Sequence, residues 1–346
     1  MKTILKLNYY LFFIVLFSCS SQKEAKDNKS VQKDDFIIAF GSCNKQYKEN
    51  ILWKEIKKNN PNLWIWGGDN IYSDTDDMNK LRADYDTLRM QTGYADLIKN
   101  IPVMATWDDH DYGFNDIGEE YNKKEESQEV FLDFFNVDKN SKRRKQKGIY
   151  HSEIFDIKKG KIKVIVLDTR YFRTALTKSK EKGRRNTPNK YGEGTVLGEE
   201  QWEWLESQLY NSNADFNILV SSIQVLAAEH GFETWGNFPH EVDKLKNTIT
   251  KSNAKGVLII SGDRHISEFS KTKVNNLSFP LIDFTSSGLT HSYNGFTSEP
   301  NKHRVKDVVS EISFGLLKFN FDKHQVSMQM KGKENILLQE IIQVYP

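Results

Sequence analysis

The chain contains 346 residues, and its 49 Lys and Arg residues nearly balance its 47 Asp and Glu residues. This balance leaves no global positive field that could gather a polyanion, so we do not expect nucleic acid to bind. Two local basic runs, residues 142–145 and 178–185, are predicted to be solvated loops. Contact of these runs with an anionic substrate or a lipid headgroup is the alternative.

Residues 1–18 have the features of a secretory signal peptide, because Lys2 and Lys6 precede a short apolar stretch. That stretch has about half of the ~20 residues that a spanning helix needs, so a transmembrane anchor is not expected. Cys19 stands where a bacterial lipoprotein carries its acylated cysteine. We therefore expect an exported protein, lipid-anchored to the bacterial cell envelope on its periplasmic or outer surface. Ordinary secretion with cleavage elsewhere is the alternative.

Residues 19–34 are polar and lack aromatic residues and periodicity, so they are predicted to be a flexible tether after Cys19. Loss of residues 1–18 would leave 47 basic and 47 acidic residues, a formal charge of zero. Residues 35–346 contain no second linker, repeat or low-complexity segment. We expect them to form a single domain.

Four hydrophobic runs, at residues 36–40, 63–66, 101–106 and 257–260, have the pattern of buried strands. Residue types that bind metals follow each run. These segments are Gly-Ser-Cys-Asn from Gly41, Gly-Gly-Asp-Asn-Ile-Tyr from Gly67, Trp-Asp-Asp-His-Asp from Trp107 and Ser-Gly-Asp-Arg-His from Ser261. Because the carboxyl ends of buried strands converge on one crevice, we expect a metal cluster at one edge of one sheet.

Helices and further strands alternate with these runs. Residues 76–98 and 199–209 have apolar residues at helical spacing, and each range is predicted to form one helix. Further strands are predicted at residues 162–167, 216–221 and 280–284, and a hairpin is predicted at residues 314–330. Alternating βα units with a β-rich end favour a sheet sandwich flanked by helices.

The possible metal ligands are of two chemical kinds. The thiolate of Cys43 and the phenolate of Tyr72 favour a trivalent or soft metal, iron above all. The carboxylates of Asp109 and Asp263 suit Ca²⁺, Mg²⁺ or Mn²⁺. Asp69 could bridge two ions, since each of its carboxylate oxygens can bind one. A buried core cysteine is the alternative interpretation of Cys43.

These ligands suit hydrolysis of a phosphate ester. Two or more cations about 3.5–4 Å apart would neutralise the phosphoryl oxygens and activate a water that attacks phosphorus. The imidazole of His265 could bind either kind of metal. His110, between Asp109 and Asp111, is placed to protonate the leaving oxygen or to hold the phosphate.

Together with Leu-Asp-Thr-Arg from Leu167, the four segments resemble the PhoD-type alkaline phosphatase and phosphodiesterase family, which belongs to the calcineurin-like metallophosphatases. The resemblance implies a phosphoric ester hydrolase with a single-domain α/β fold, a four-layer α/β/β/α sandwich. It implies Fe³⁺ together with Ca²⁺, with Mn²⁺, Mg²⁺ or Zn²⁺ as alternatives. By the resemblance, the metal ligands are Cys43, Asp69, Tyr72, Asp109, Asp263 and His265.

The resemblance also suggests residues that act on the substrate. Arg170 could hold two phosphate oxygens, or it could be paired with Asp168 or another acid. Gln224 stands where related metallophosphatases have a ligand histidine, and it could touch metal or phosphate. Asn70 is assigned to substrate binding. Residues 235–239 match the family's substrate-side loop only loosely, so the leaving group is left open.

The expected substrate is a small-molecule or lipid phosphoester, and the expected protein is a monomer that contacts the membrane through its lipid anchor. One alternative is a phospholipase-type phosphodiesterase, because the anchor would hold the site beside lipid headgroups. Another alternative is a non-catalytic lipoprotein that uses the same fold to bind metal.

Overall fold

Thirteen strands and seven helices alternate along residues 36–346, the part of the chain that our computed structural model describes. The strands are β1 (Phe36–Gly41), β2 (Leu63–Gly67), β3 (Val103–Thr106), β4 (His151–Ile157), β5 (Gly160–Val166), β6 (Phe216–Val220), β7 (Val257–Ser261), β8 (Ser267–Thr272), β9 (Leu281–Ser286), β10 (Arg304–Val309), β11 (Phe314–Asn320), β12 (Gln325–Lys331) and β13 (Leu337–Val344). The predicted signal peptide, Cys19 and the tether lie outside the described residues.

The helices lie mainly between the parallel strands. They are α1 (Trp53–Lys58), α2 (Met78–Met90), α3 (Thr92–Ile98), α4 (Asp109–Tyr112), α5 (Lys124–Phe134), α6 (Gly198–Tyr210) and α7 (Pro239–Ser252). Within residues 36–346, no helix is both long enough and apolar enough to cross a membrane.

The strands form two sheets. The first has the order β13-β12-β11-β1-β2-β3, and the second has the order β10-β8-β9-β7-β6-β5-β4. Strands β1, β2 and β3 are parallel, as are β5, β6, β7 and β9. Parallel neighbours end at the same edge of a sheet, so the loops that follow them are brought together.

The two sheets pack face to face, because successive residues of a strand point alternately towards the other sheet and towards the helices. In β1, Ile38 and Phe40 belong to a core that includes residues of both sheets, and the Phe40 ring lies 4.8 Å from that of Phe284 in β9. Ala39, between them in sequence, packs instead with Trp53 of α1 and with α2 and α3. Helices α6 and α7 cover the second sheet through residues such as Leu205. The predicted four-layer sandwich is confirmed.

Two predictions about the fold are wrong. The predicted helix over residues 76–98 is two helices, because Gln91 between them has an extended ψ of 116°. The Gln91 side chain accepts a hydrogen bond from Trp53 Nε1 at 3.0 Å and donates one to the Gln46 carbonyl at 2.8 Å, which fixes this break.

The second error concerns which sheet carries the candidate ligands. The strand before Asp263 is β7, which lies in the second sheet, whereas β1, β2 and β3 lie in the first. The metal-binding segments therefore meet between two sheets, not at one edge of one sheet. An isolated parallel β-bridge between Ser42, after β1, and Ser287, after β9, joins the two sheets beside them.

Candidate metal centre

Four of the six predicted ligands adopt a left-handed backbone conformation immediately after their strands. Cys43, Asp69, Asp263 and His265 have φ values of 60°, 50°, 69° and 55°. Side chains other than glycine rarely adopt this region, and such residues cluster at binding and active sites. The chain thus turns sharply after three strands, β1, β2 and β7, and these turns bring the predicted ligands close together.

The thiol, phenol and imidazole groups gather around one carboxylate. Oδ2 of Asp69 accepts hydrogen bonds from Cys43 Sγ at 3.3 Å and from the Tyr72 hydroxyl at 2.9 Å. The same hydroxyl lies 2.9 Å from Nε2 of His265. One donor atom each from Cys43, Asp69 and His265 lies within 4.8 Å of the others, close enough to share one ion.

A second group of possible ligands shares Asp69. Donor atoms of Asp69, Asp109 and His110 also lie within 4.8 Å of one another. Oδ1 of Asp109 is buried, and within residues 36–346 it has no hydrogen-bond partner. An unpaired carboxylate oxygen is costly to bury, and a bound cation would satisfy it. Asp69 and Asp109 therefore fit a second metal ion beside the first, with Asp69 shared between the two.

Mutual repulsion of the acids makes the site attractive to cations. Burial raises the pKa of Asp69 to about 6, and the charge of Asp109 adds to this while His110 opposes it. Burial also raises the pKa of Asp263, again with a contribution from Asp109. The Cys43 thiol has a raised pKa through its burial and the charge of Asp69. A metal ion would relieve this excess of negative charge.

The surrounding acids favour the protonated form of His110. Burial alone would lower its pKa, but the carboxylates of Asp69, Asp74 and Asp109 raise it to about 10. Nδ1 lies 2.7 Å from Oδ1 of Asp74, which fixes the ring. The imidazole stacks on Tyr72 with the ring centroids 4.2 Å apart. His110 is thus a positively charged hydrogen-bond donor at the edge of the acidic cluster.

Asp263 lies in the same pocket without belonging to either group. The pocket has a volume of about 340 Å³ and is lined by Asp69, Asp109, His110, Asn115, Asp116, Arg185, Phe232, Glu233, Asp263, Arg264, His265, Ser292 and Tyr293. Among the described residues, the Asp263 carboxylate is in no group of three ligand atoms within 4.8 Å of one another.

Sequence reasoning missed a third group of acids. Donor atoms of Asp109, Asp116 and Glu233 lie within 4.8 Å of one another, and the Asp116 amide donates to Oδ2 of Asp109 at 2.7 Å. Neither Asp116 nor Glu233 follows a strand, so the pattern that revealed the other ligands gave no signal for them. Asp109 thus extends the acidic cluster away from Asp69.

The structure corrects the role suggested for Arg170. Its side chain is fully buried, and it lies 2.5 Å from Oδ1 of Asp108 and 2.7 Å from Oε2 of Glu233. Arg173 pairs with the other oxygen of Glu233 at 2.9 Å. Arg170 therefore pairs with acids other than Asp168 and does not face the pocket. The predicted phosphate contact of Arg170 is therefore replaced by a structural role, because its guanidinium holds Asp108.

Gln224 and Asn70 also point elsewhere. The Gln224 amide donates to Glu268 at 2.7 Å and to Thr285 at 2.8 Å, inside the second sheet. The Asn70 amide donates to the Thr106 carbonyl at 2.9 Å and is fully buried. Neither side chain lines the pocket. The suggested contacts of Gln224 with metal or phosphate and of Asn70 with substrate are therefore not supported, because both amides serve to fix strand ends.

The segment after β9 supplies residues that sequence reasoning overlooked. The Ser287 hydroxyl lies 3.0 Å from Cys43 Sγ and accepts a hydrogen bond from the His265 amide at 2.8 Å. The His291 ring lies 4.4 Å from that of His265 and 5.1 Å from that of Tyr72. The polar run Thr285–Gly288 follows a predicted strand, as do the four segments with predicted ligands, so its position could have indicated these residues.

Two facing sheets flanked by helices, with thiol, imidazole and carboxylate ligands on the loops between them, are the architecture of the metallophosphatases. Residues 38–333 match the family model of PhoD-like phosphatases, and the chain belongs to this family. The resemblance found in the sequence is thereby confirmed.

Known relatives agree with this assignment. Alkaline phosphatase D of Bacillus subtilis (strain 168) is 28% identical over 142 residues, which cover 36% of this chain and 24% of that protein. A solved structure of PhoD has a TM-score of 0.71 at 18% identity, covering 89% of this chain and 69% of the other. A dimetal phosphatase from Danio rerio has a TM-score of 0.57 at 13% identity, covering 91% of this chain and all of the other. At these identities, the two structures show a shared fold.

Proposed function

We propose that this protein is a metal-dependent hydrolase of phosphate esters, acting on monoesters or diesters. The observation that carries the proposal is that two groups of possible metal ligands share Asp69, beside a buried oxygen of Asp109 that, within the described residues, accepts no hydrogen bond. A single carboxylate between two cation sites suits hydrolysis assisted by two metals. The name of the Bacillus subtilis relative, alkaline phosphatase D, supports the same chemistry.

The protein's own groups divide the work. Metal ions held by the acidic cluster would neutralise phosphoryl oxygens and make a bound water more acidic. The neighbouring carboxylates favour the protonated form of His110, which would supply the proton that a leaving alkoxide needs. Asp74 holds the His110 ring through Nδ1, which leaves Nε2 as the nitrogen that could donate to the substrate. Arg170 fixes Asp108, the residue before Asp109 in the loop after β3.

We further propose Fe³⁺ at Cys43, Tyr72 and His265, and Ca²⁺ at Asp109, with Asp69 shared; Asp263, which lines the same pocket, stays a predicted ligand by the resemblance alone. The support is chemical, since thiolate and phenolate favour a soft or trivalent ion and carboxylates favour a hard divalent one. Cys43 is the only cysteine among the described residues, so within them its thiol has no disulfide partner.

The test is release of p-nitrophenol from p-nitrophenyl phosphate and from bis-p-nitrophenyl phosphate, with metal analysis of the same preparations. Wild-type protein should be active, and Asp69→Asn should lose most activity and much of its metal without unfolding, since it removes the shared charge. Asp86→Asn is the matched control, because Asp86 is exposed on α2. Near-normal turnover by folded Asp69→Asn protein would refute the proposed site.

We also propose that Cys19 is acylated and holds the domain on the cell envelope through the polar tether of residues 19–34. The support is the charged start, the short apolar stretch and the cysteine that follows it. Labelling with a fatty-acid analogue should be abolished by Cys19→Ala in the full-length chain. Unchanged labelling of that variant would rule out this attachment.

A further inference from the structure

We propose that the pocket contains a second anion-binding site, formed by Arg185 and Arg264, and that the preferred substrates are phosphoesters whose leaving alcohol carries a further negative charge, such as a carboxylate. This inference rests on the proposed phosphoester hydrolysis and names its substrate class. Both arginines line the pocket that also contains Asp69, Asp109 and His265.

Arg264 is a buried cation with unused hydrogen-bonding capacity. It lies between two predicted ligands in sequence, and its side chain is only 10% exposed. One terminal nitrogen donates to both oxygens of Glu299, at 2.9 and 2.7 Å. Nε is buried and, within the described chain, has no hydrogen-bond partner. A guanidinium held at one end by Glu299 keeps its remaining N–H donors for an anion that enters the pocket.

Arg185 brings a charge that no acid neutralises. It belongs to the basic run of residues 178–185, and its amide donates to the Gly231 carbonyl at 2.9 Å. In the part of the chain that the structure describes, no carboxylate forms an ion pair with its guanidinium, which instead lies 5.6 Å from the Phe232 ring. The run is thus a loop, as predicted, but one of its cations reaches the pocket.

One aromatic ring connects the two arginines. The Arg264 guanidinium lies 4.0 Å from the centroid of Phe232, the same ring that Arg185 contacts. A ring face holds a guanidinium without satisfying its N–H donors, so both arginines keep donors for a ligand. Two such groups at one ring can bind a carboxylate or phosphate through several charge-assisted hydrogen bonds.

The other charged groups of the pocket explain why this second site is needed. Asp69, Asp109, Asp116 and Asp263 are acids, and they would repel a second anion on the substrate. Cations bound to those acids would be occupied by the phosphoryl group. An anionic leaving group therefore needs its own positive partners, and Arg185 and Arg264 are the arginines that line the pocket.

The test compares two substrates that differ by one carboxylate, 3-phosphoglycerate and glycerol 3-phosphate. Wild-type kcat/KM should favour 3-phosphoglycerate by at least about tenfold, as expected for hydrogen bonds to a charged group. Arg185→Gln should remove most of this preference while turnover of p-nitrophenyl phosphate changes little. Lys182→Gln is the matched control, because Lys182 is an exposed cation of the same loop that does not line the pocket.

Three results would overturn the inference: no preference in wild-type protein, a preference retained by Arg185→Gln, or an equal loss in both variants. The last result would indicate a general field of the basic loop. Failure to hydrolyse any of the three phosphoesters would count against the proposed function instead. Calorimetry separates the two cases, because wild-type protein should bind 3-phosphonopropionate more tightly than propylphosphonate without turnover, and Arg185→Gln should bind the two equally. Equal binding by the wild type would refute the subsite.

Discussion

At the scale of single residues, the candidate centre depends on backbone conformations that its side chains do not favour. Cys43, Asp69, Asp263 and His265 all have positive φ. Such conformations cost about 1–3 kcal/mol each and persist only where the surrounding structure enforces them. Here the enforcing contacts include the Ser287 hydroxyl, which meets both the thiol of Cys43 and the amide of His265.

Tyr72 offers the sharpest residue-scale test of the proposed ferric ion. Tyr72→Phe removes the hydroxyl that contacts Asp69 and His265 but keeps the ring stacked on His110. We expect weaker iron binding and a lost or shifted visible absorption band, because phenolate donates electron density to Fe³⁺. Circular dichroism should stay close to that of the wild type.

Tyr47→Phe is the control for this experiment, since Tyr47 is 64% exposed. A colourless wild-type protein that contains only zinc or manganese would contradict the ferric assignment. It would make the Tyr72 hydroxyl a hydrogen-bonding group and not a ligand.

The sequence was sufficient to identify candidate ligands that follow strands. It was not sufficient for charged side chains whose role depends on the ion pairs they form. Cys43, Asp69 and Asp263 could be identified because each comes two residues after a buried strand. The role of Arg170 could not be predicted, because the residues around it in sequence do not reveal that it pairs with Asp108 and Glu233. The role of a charged side chain depends on its partners, and these come from distant segments.

At the scale of secondary-structure elements, the Phe40 ring of β1 leaves no room for a side chain at Gly315 in β11, the neighbouring strand of the same sheet. A Cβ added to Gly315 would lie 2.2 Å from Cε1 of Phe40, the residue it pairs with in β1. Gly315→Ala should therefore lower the free energy of unfolding by about 1–3 kcal/mol, since overpacking forces neighbouring side chains to shift. Urea unfolding followed by circular dichroism measures the change.

Gly295→Ala is the matched control, because a Cβ there would approach only Tyr293, at 3.4 Å, in an exposed loop. A Gly315→Ala protein as stable as this control would show that the Phe40 ring can move aside at little cost.

A buried acid in β9 should make stability depend on pH. Burial raises the pKa of Asp283 from 3.8 to about 6, although Ser261 and the amides of Val225 and Leu226 donate to it. Between pH 4 and 6 the folded chain binds a proton that the unfolded chain does not. Its contribution to the free energy of unfolding therefore falls as pH rises through this window, by up to about 3 kcal/mol.

Asp283→Asn removes this titration, so its free energy of unfolding should rise relative to the wild type as pH increases from 4 to 7. Urea unfolding at several pH values checks the difference, with Asp86→Asn as the exposed control. Parallel curves for wild type and Asp283→Asn would show that Asp283 does not bind a proton in this range.

The elements themselves were largely predictable, because hydrophobic runs bounded by turn residues mark buried strands. Strands β1, β2 and β7 and the hairpin of β11 and β12 appear where they were expected. The break at Gln91 was not predictable, because it depends on contacts with Trp53 and Gln46. Assignment of β7 to the second sheet was also missed, since local sequence does not specify which strands pair.

At the scale of the whole molecule, metal removal should destabilise the folded chain. Ions that bind only the folded state stabilise it by about 2.7 kcal/mol at a hundred times their dissociation constant. Dialysis against a chelator should lower Tm by several degrees, and added Ca²⁺ with iron should restore it. The matched chelation of Asp69→Asn protein should change Tm much less, and an equal shift in both proteins would indicate ions bound elsewhere.

The bridge between Ser42 and Ser287 marks the place where the two sheets are joined beside the ligands. Cys43 follows β1 of the first sheet, and His265 follows β7 of the second. An ion held by both would act as a reversible cross-link that closes a long loop in any partly unfolded state, which restricts the conformational entropy of that state. Binding of metal would therefore set how readily the two halves of the sandwich part from each other, and hydrogen exchange at their facing strands would follow the metal concentration.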